Sequence, residues 1–253
     1  MGERLRDKVA IITGASRGIG AAIATQMAEE GAKVVLVSRK IEGLQAVADE
    51  IRGNGGDATP IACHAGDPEQ RQDMLDQALK AYGKVDILVN NAGTTEVVPA
   101  ENESDEQFLH VLNVNLNGSF YCAQRFGRAM LEAGSGSIIN VASIFGFVGS
   151  GSIPQAGYVA SKGAVVNMTR ELAAQWARRG VRVNGIAPGF FKSEMTEEMF
   201  SDERSMTWLR KKTPAGRPGE VEELYGAVIY LASDASSYVT GQTIAVDGGW
   251  TAI

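Results

Sequence analysis

A tyrosine and a lysine stand four positions apart at Tyr158 and Lys162, downstream of Ser143, in a stretch that carries no charge before the lysine itself. On one helix such a pair leaves the same face, roughly 5–6 Å apart. A free phenol titrates near about pH 10, too high to trade protons at neutral pH. An adjacent ammonium favours the tyrosinate and lowers that pKa, so the phenol can serve as a general acid or base. A serine hydroxyl beside it could hold the oxygen of a carbonyl or an alcohol. The pattern YxxxK also arises by chance, with the tyrosine an ordinary core aromatic. It gains meaning only from what stands elsewhere in the chain.

A second cluster could hold phosphate. Thr13-Gly14-Ala15-Ser16-Arg17-Gly18-Ile19-Gly20 follows a β-branched run and opens a stretch with helical spacing. Glycines let the backbone curl close to a pyrophosphate, and a helix starting near Gly18 points free N–H groups at the anion. The spacing is GxxxGxG rather than the GxGxxG of the common dinucleotide fingerprint. At the end of the next strand an acidic residue would bind a ribose 2′-hydroxyl, whereas an arginine accommodates a 2′-phosphate. Ser38-Arg39-Lys40 stands there, with Arg17 available from the first loop. Two guanidinium groups without an acidic neighbour predict NADP(H) over NAD(H).

The elements that must position these groups alternate. KVAIIT (8–13) and KVVLVS (33–38) read as strands buried on both faces. Further strands are expected at 58–63, 86–90, 137–141, 181–186 and 243–246. Helices are expected at 41–52, 68–82, 104–132, 157–179 and 218–232, besides the one after the glycine turn. Pro68 suits a first helical turn, and Gly31 a helix end. This alternation predicts an α/β chain with a Rossmann-type, doubly wound parallel sheet of about seven strands and helices on both faces. No repeat or flexible linker divides residues 1–253, so a single domain is expected, with an irregular segment at 190–217 as a substrate lid.

Composition agrees. The chain has 253 residues, 44% hydrophobic and 21% charged, enough for a sizeable soluble core. A net charge of −6 argues against nucleic acid or an anionic membrane as partner. Cys63 and Cys122 offer neither a disulfide framework nor a metal spacing, and read as small buried residues in a reducing compartment. No metal is expected at His64 or His110 either. The N-terminus lacks an apolar signal region, and the uncharged run 133–161 is broken by Gly, Ser, Asn140 and Pro154. A cytoplasmic, soluble protein is expected.

Taken together, Thr13-Gly14-xxx-Gly18-x-Gly20, Asn90-Asn91-Ala92-Gly93, Asn115, Ser143, Tyr158-xxx-Lys162 and Pro188-Gly189 resemble the short-chain dehydrogenase/reductase family, in its order and over essentially the whole chain. The resemblance implies Tyr158 as general acid/base, Ser143 as the residue that positions the substrate oxygen, and Lys162 as a partner of the nicotinamide ribose. It implies that Asn115 holds a water linking Lys162 to solvent. An asparagine within an apolar helix needs a satisfied amide; Asn113 and Asn117 fit that description equally, and only the resemblance selects Asn115. It further places Asn91, Ala92 and Gly93 by the adenosine ribose, and Pro188, Gly189, the backbone of Phe191 and Ser193 along the nicotinamide. Two departures stand out. Ser143 and Tyr158 are slightly further apart than is usual, implying a longer loop 144–157. His64, beside Ala65, stands where the family commonly has an Asp that reads adenine.

On the substrate side, Phe191, Met195, Met199, Phe200, Met206 and Trp208 are expected to close an apolar surface facing Phe145, Phe147, Val148 and Ile153. That favours a hydrophobic or aromatic ketone as the small-molecule substrate. The expected activity is reversible, NADPH-dependent reduction of a ketone to a secondary alcohol. The rivals are reduction of 3-oxoacyl groups on acyl-carrier protein, against which Glu132-Ala133-Gly134 stands where a basic cluster would be, and NAD(P)-linked oxidation of a sugar or other polar alcohol. A non-catalytic nucleotide sensor would fit a broken Tyr/Lys pair, and here the pair is intact. Apolar residues on more than one face of 104–132 and the terminal Trp250-Thr-Ala-Ile suggest subunit contacts, and the resemblance implies a homotetramer.

Overall fold

A computed structural model of the chain describes residues 2–64, 67–192 and 196–253. The strands are β1 (Val9–Thr13), β2 (Lys33–Ser38), β3 (Asp57–Ala62), β4 (Ile87–Asn90), β5 (Gly136–Val141), β6 (Val181–Pro188) and β7 (Thr243–Val246). They form one parallel sheet in the order β3-β2-β1-β4-β5-β6-β7. The order reverses between β1 and β4, and the crevice outside the carboxyl ends of strands at such a point is where open α/β sheets bind ligands.

Successive side chains of a strand face opposite ways, so a strand covered on both sides must be apolar throughout. All five residues of β1 and the central four of β2 are buried. Ala10, Ile12, Val34 and Leu36 pack against α1 (Gly18–Glu29), α2 (Ile41–Gly53) and α9 (Tyr225–Ala232). Val9, Ile11, Val35 and Val37 pack against α3 (Pro68–Tyr82), α5 (Gly118–Ala133) and α6 (Ala156–Trp176), with Cys63 and Cys122 buried in that layer. The sheet, its parallel sense and its two helical layers match the sequence expectation.

Several helices end differently. The expected helix 104–132 is interrupted: Ser104 caps α4 (Asp105–Leu112) through a reciprocal bond pair with Gln107, and a π-helical turn, Asn113–Asn117, precedes α5. A hydrophobic repeat cannot reveal such an insertion, because the helix continues on either side of it. The helix expected to reach Arg179 ends at Trp176 and tightens into a 3₁₀ turn, Ala177–Arg179, closed by Gly180 in the left-handed region. The one expected at 218–232 begins as a 3₁₀ turn, Val221–Leu224, because Pro218 and Gly219 occupy an extended link bridged to Phe191. Two further helices, α7 (Glu197–Ser201) and α8 (Glu203–Lys212), stand in the expected lid segment.

Candidate active site

The phosphate loop is held open by its neighbours. Thr13 ends β1, and its hydroxyl donates to the Val89 carbonyl while accepting from the backbone N–H groups of Asn91 and Ala92 (3.3, 3.0 and 3.1 Å). The Asn91 amide donates back to the carbonyls of Thr13 and Gly14 (3.0 and 3.2 Å). Gly14 turns at φ 67° and Gly18 at φ 55°. A methyl on Gly14 would lie 2.9 Å from the Ala92 Cα, and one on Gly20 would overlap the Gly14 carbonyl oxygen and the Asn91 amide. A methyl on Gly43, on α2, would lie 3.0 Å from the Ser16 Cβ. Helix α1 begins after an extended Arg17 that gives no side-chain cap, with no acid in its first turn. Without a capping side chain at Arg17 or an acid in the first turn, the leading N–H groups present a positive end. This cradle of close glycine backbone and uncapped N–H groups fits a dinucleotide pyrophosphate.

Ser38, Arg39 and Lys40 follow at the end of β2, with both cations exposed and the Ser38 hydroxyl donating to the Lys40 carbonyl at 3.0 Å. His64 is exposed after β3, where its backbone N–H donates to Gln70. Ala65 and Ser193 lie outside the described residues. Asn91 is a brace for the glycine loop, and Pro188 and Gly189 lie at the end of β6, where a methyl on Gly189 would be 2.8 Å from the Asp247 Cα.

The expected catalytic residues converge beyond β4, β5 and β6. Lys162 is buried on α6, and its Nζ donates to the Val141 carbonyl at the end of β5 (2.7 Å). The same Nζ lies 5.6 Å from the Tyr158 ring centre. Ser143, buried just past β5, accepts from the Phe145 N–H, and its hydroxyl is near enough to the Tyr158 phenol to favour the ionised form. Asn115 sits in the π-turn, fully satisfied as an apolar helix demands: its Oδ1 accepts from the Thr94 N–H (2.8 Å), and its Nδ2 donates to the Thr94 carbonyl and Ser161 Oγ (2.9 Å each). A methyl on Gly93 would be 3.4 Å from Asn115 Oδ1 and 3.6 Å from Lys162 Nζ. Those three residues thus share one corner.

Electrostatics depart from the expectation that Lys162 lowers the tyrosine pKa. Burial pushes the Tyr158 phenol above its ordinary value, and the nearby Ser143 hydroxyl pulls it only partly back. Tyr158 as a whole is half-buried, its phenol end being the enclosed part. Burial also brings Lys162 down to about 8. Desolvation disfavours both charged forms, in opposite pKa directions. At neutral pH the phenol is protonated and the lysine still charged, the pair of states suited to giving a proton to a carbonyl oxygen.

The aromatic residues regroup. Phe191, expected in the lid, is buried in the body, its ring over Gly219 in the layer with α9. Phe190 instead joins Phe145, Trp208 and Trp250, with ring centres at 6.0, 5.9 and 5.0 Å from its own and 5.3 Å between the two tryptophans. Trp250 is therefore part of an aromatic wall beginning two residues past Ser143, not the exposed terminus expected. Asp247 places it, accepting from the Gly249 and Thr251 N–H groups and the Thr251 hydroxyl. Thr94, Thr95, Gln155 and Ser161 stand outside the site residues the sequence points to; the only local signal for Ser161 is its place between Tyr158 and Lys162. Among the described residues no group of His, Cys, Asp and Glu could hold a metal, and no helix is long and apolar enough to cross a membrane.

Comparison with known proteins agrees with this geometry. A family model described as enoyl-(acyl carrier protein) reductase, of the short-chain alcohol dehydrogenase group, matches residues 14–251. Gluconate 5-dehydrogenase of Gluconobacter oxydans is 41% identical over 96% of this chain and 94% of its own. The 3-oxoacyl-[acyl-carrier-protein] reductase of Thermotoga maritima is 39% identical over 97% and 98%. The solved gluconate 5-dehydrogenase of Burkholderia cenocepacia, in complex with NADP and tartrate, superposes with a TM-score of 0.94 at 39% identity, covering 99% of this chain and 98% of that one. With the family model matched over residues 14–251 and relatives this similar over nearly their whole length, the chain belongs to the short-chain dehydrogenase/reductase family and is an oxidoreductase of alcohols and ketones.

Proposed function

We propose that this protein reduces a ketone to a secondary alcohol with NADPH, reversibly, and that its substrate is hydrophobic or aromatic. The observation that carries the reading is the buried Lys162 ammonium, tied to the Val141 carbonyl and 5.6 Å from the Tyr158 ring, with Ser143 buried just past the same strand, at the mouth of the sheet crevice. A bound nicotinamide supplies the hydride. Ser143 holds the carbonyl oxygen and Tyr158, neutral at pH 7, gives that oxygen a proton as it becomes an alkoxide. Lys162 steadies the tyrosinate left behind, and Asn115 shapes the path by which Tyr158 is reprotonated. The wall of Phe145, Phe190, Trp208 and Trp250 offers ring faces to the substrate beneath a lid at 190–217.

The residues around the cradle fit the dinucleotide. Gly14, Ser16, Gly18, Ile19 and Gly20 would hold the pyrophosphate, Arg17, Ser38 and Arg39 the 2′-phosphate, and His64 and Ala65 the adenine side. Asn91, Ala92, Gly93, Pro188, Gly189, Phe191 and Ser193 would follow the riboses and nicotinamide. Preference for NADP(H) is supported by the two exposed guanidinium groups and by the NADP bound in the Burkholderia relative. A cytoplasmic homotetramer is part of the same reading, supported by Leu109, Phe120 and Tyr121 exposed on α4 and α5. The test follows NADPH and NADH oxidation over a panel of aryl, bulky and small polar ketones, with Tyr158→Phe as control. Turnover in that variant should fall about 10²–10⁴-fold with NADPH binding retained. Undiminished turnover, or faster reduction with NADH, refutes the proposal.

A further inference from the structure

Between Ser143 and Tyr158 the only amide side chain is Gln155. It is 7% exposed, and it is held from three sides. Its backbone bridges to Val98, its carbonyl accepts from the Val159 N–H at the start of α6, and its side-chain Oε1 accepts from the Thr95 hydroxyl at 3.0 Å. It gives helix α6 no side-chain cap. Among the described residues its Nε2 donates to nothing. That nitrogen is not one of the enclosed unpartnered atoms, so it pairs with water until another acceptor displaces it. A fixed carbonyl end also means that the idle –NH₂ has one direction rather than many.

The amide is anchored beside the catalytic residues. Gln155 is three residues before Tyr158, and Thr95 is two residues past Gly93, the corner shared by Lys162 and Asn115. The geometry points to Gln155 as a specificity-determining residue whose Nε2 donates a hydrogen bond to a second oxygen of the substrate, next to the carbonyl held by Ser143 and Tyr158. This rests on the ketone-reductase reading and narrows it to ketones with an accepting oxygen on the adjoining carbon: α-hydroxy ketones and 1,2-diones. Thr95 is the positioning residue, since its hydroxyl fixes which end of the amide faces the substrate.

The test compares acetophenone with α-hydroxyacetophenone, identical except for the second oxygen, each reduced with NADPH. Wild type should favour the hydroxy ketone in kcat/KM, chiefly through KM, and Gln155→Leu should cut that preference about tenfold, the worth of one neutral hydrogen bond. Gln155→Glu, which keeps the shape and loses the donor, should do the same, and Thr95→Val should move the ratio the same way by less. NADPH binding measured on each variant reports folding, and should Gln155→Leu fail to fold, the Glu and Thr95 variants decide. A ratio unaltered across them, or a wild type indifferent to the second oxygen, overturns the assignment while leaving the reductase reading intact. A wild type that binds NADPH and reduces no ketone in the panel overturns both.

Discussion

Replacing Lys162 with methionine should stabilise the cofactor-free protein at neutral pH while ending its activity. Burial brings the ammonium from the 10.5 of a free lysine to about 8, which corresponds to about 3 kcal/mol against folding wherever both states are charged. The folded-state pKa is the lower one, so between about pH 8 and 10.5 the unfolded chain binds more protons and wild-type stability rises with pH. Below about 8 the whole penalty is present. Methionine removes it but leaves the Val141 carbonyl without its 2.7 Å donor, a loss of about 1 kcal/mol. The net gain at pH 7 is about 2 kcal/mol, or about 4–8 °C in Tm for a chain of this size. It should shrink toward nothing by about pH 10 as the wild-type lysine discharges. Urea titrations of both proteins at several pH values measure the difference directly. A variant less stable than wild type at pH 7, or a gap that stays constant up to pH 10, would refute the view that Lys162 is a strained, functional charge rather than a structural one.

Arg39→Ser should raise the KM for NADPH about 10–100-fold, the range for a lost hydrogen bond to a charged group, and leave that for NADH nearly unmoved; equal effects on both cofactors would remove Arg39 from the 2′-phosphate. Gly20→Ala must push the Gly14 carbonyl and the Asn91 amide apart, so about 1–3 kcal/mol of stability should go with most of the dinucleotide affinity. An unchanged urea midpoint with unchanged NADPH fluorescence titration would contradict this packing. Burial lifts Cys63 to about 11 and Cys122 to about 12, so the folded protein should resist iodoacetamide at pH 8 and react fully only in denaturant. Rapid native labelling would show that the layer holding α3 and α5 opens readily.

What the sequence discloses depends on how far apart the interacting residues stand. The strands are legible because a parallel strand covered on both faces must be apolar throughout, and Val9–Thr13 or Val34–Val37 can be little else. Gly14, Gly18 and Gly20 are legible because their requirement is conformational and local. Tyr158 and Lys162 are legible because a helix brings residues four apart together. The π-turn at Asn113–Asn117 leaves no such trace, since it shifts the phase of a helix without ending it. Neither does the aromatic wall: Phe145, Phe190, Trp208 and Trp250 come from four segments that only the folded sheet brings together. Reading Phe191 as a lid residue fails for a related reason, because which of two adjacent phenylalanines faces inward is decided by Gly219, far along the chain. The pKa of Tyr158 departs from its sequence expectation because spacing reports a neighbouring charge and not the loss of water, which here is the larger influence.

The segment after β4 explains how three tasks stay in register. Asn91 braces the glycine loop, Thr94 clamps both ends of the Asn115 amide, and Thr95 fixes Gln155. Gly93 between them lies against both Lys162 and Asn115. Five consecutive residues therefore touch the cofactor cradle, the catalytic corner and the proposed substrate donor in turn, and they do so from the carboxyl end of the strand where the sheet order reverses. A shift of that segment would displace the dinucleotide, the proton path and the substrate together rather than one at a time. This is why Thr95→Val, remote from the phosphate loop, should register in substrate choice, whereas a change at Asn91 should register first in cofactor affinity. Distinct readouts from residues four apart on one short stretch would show that the stretch positions its neighbours individually, and a common loss from both would show that it acts only as a rigid strut.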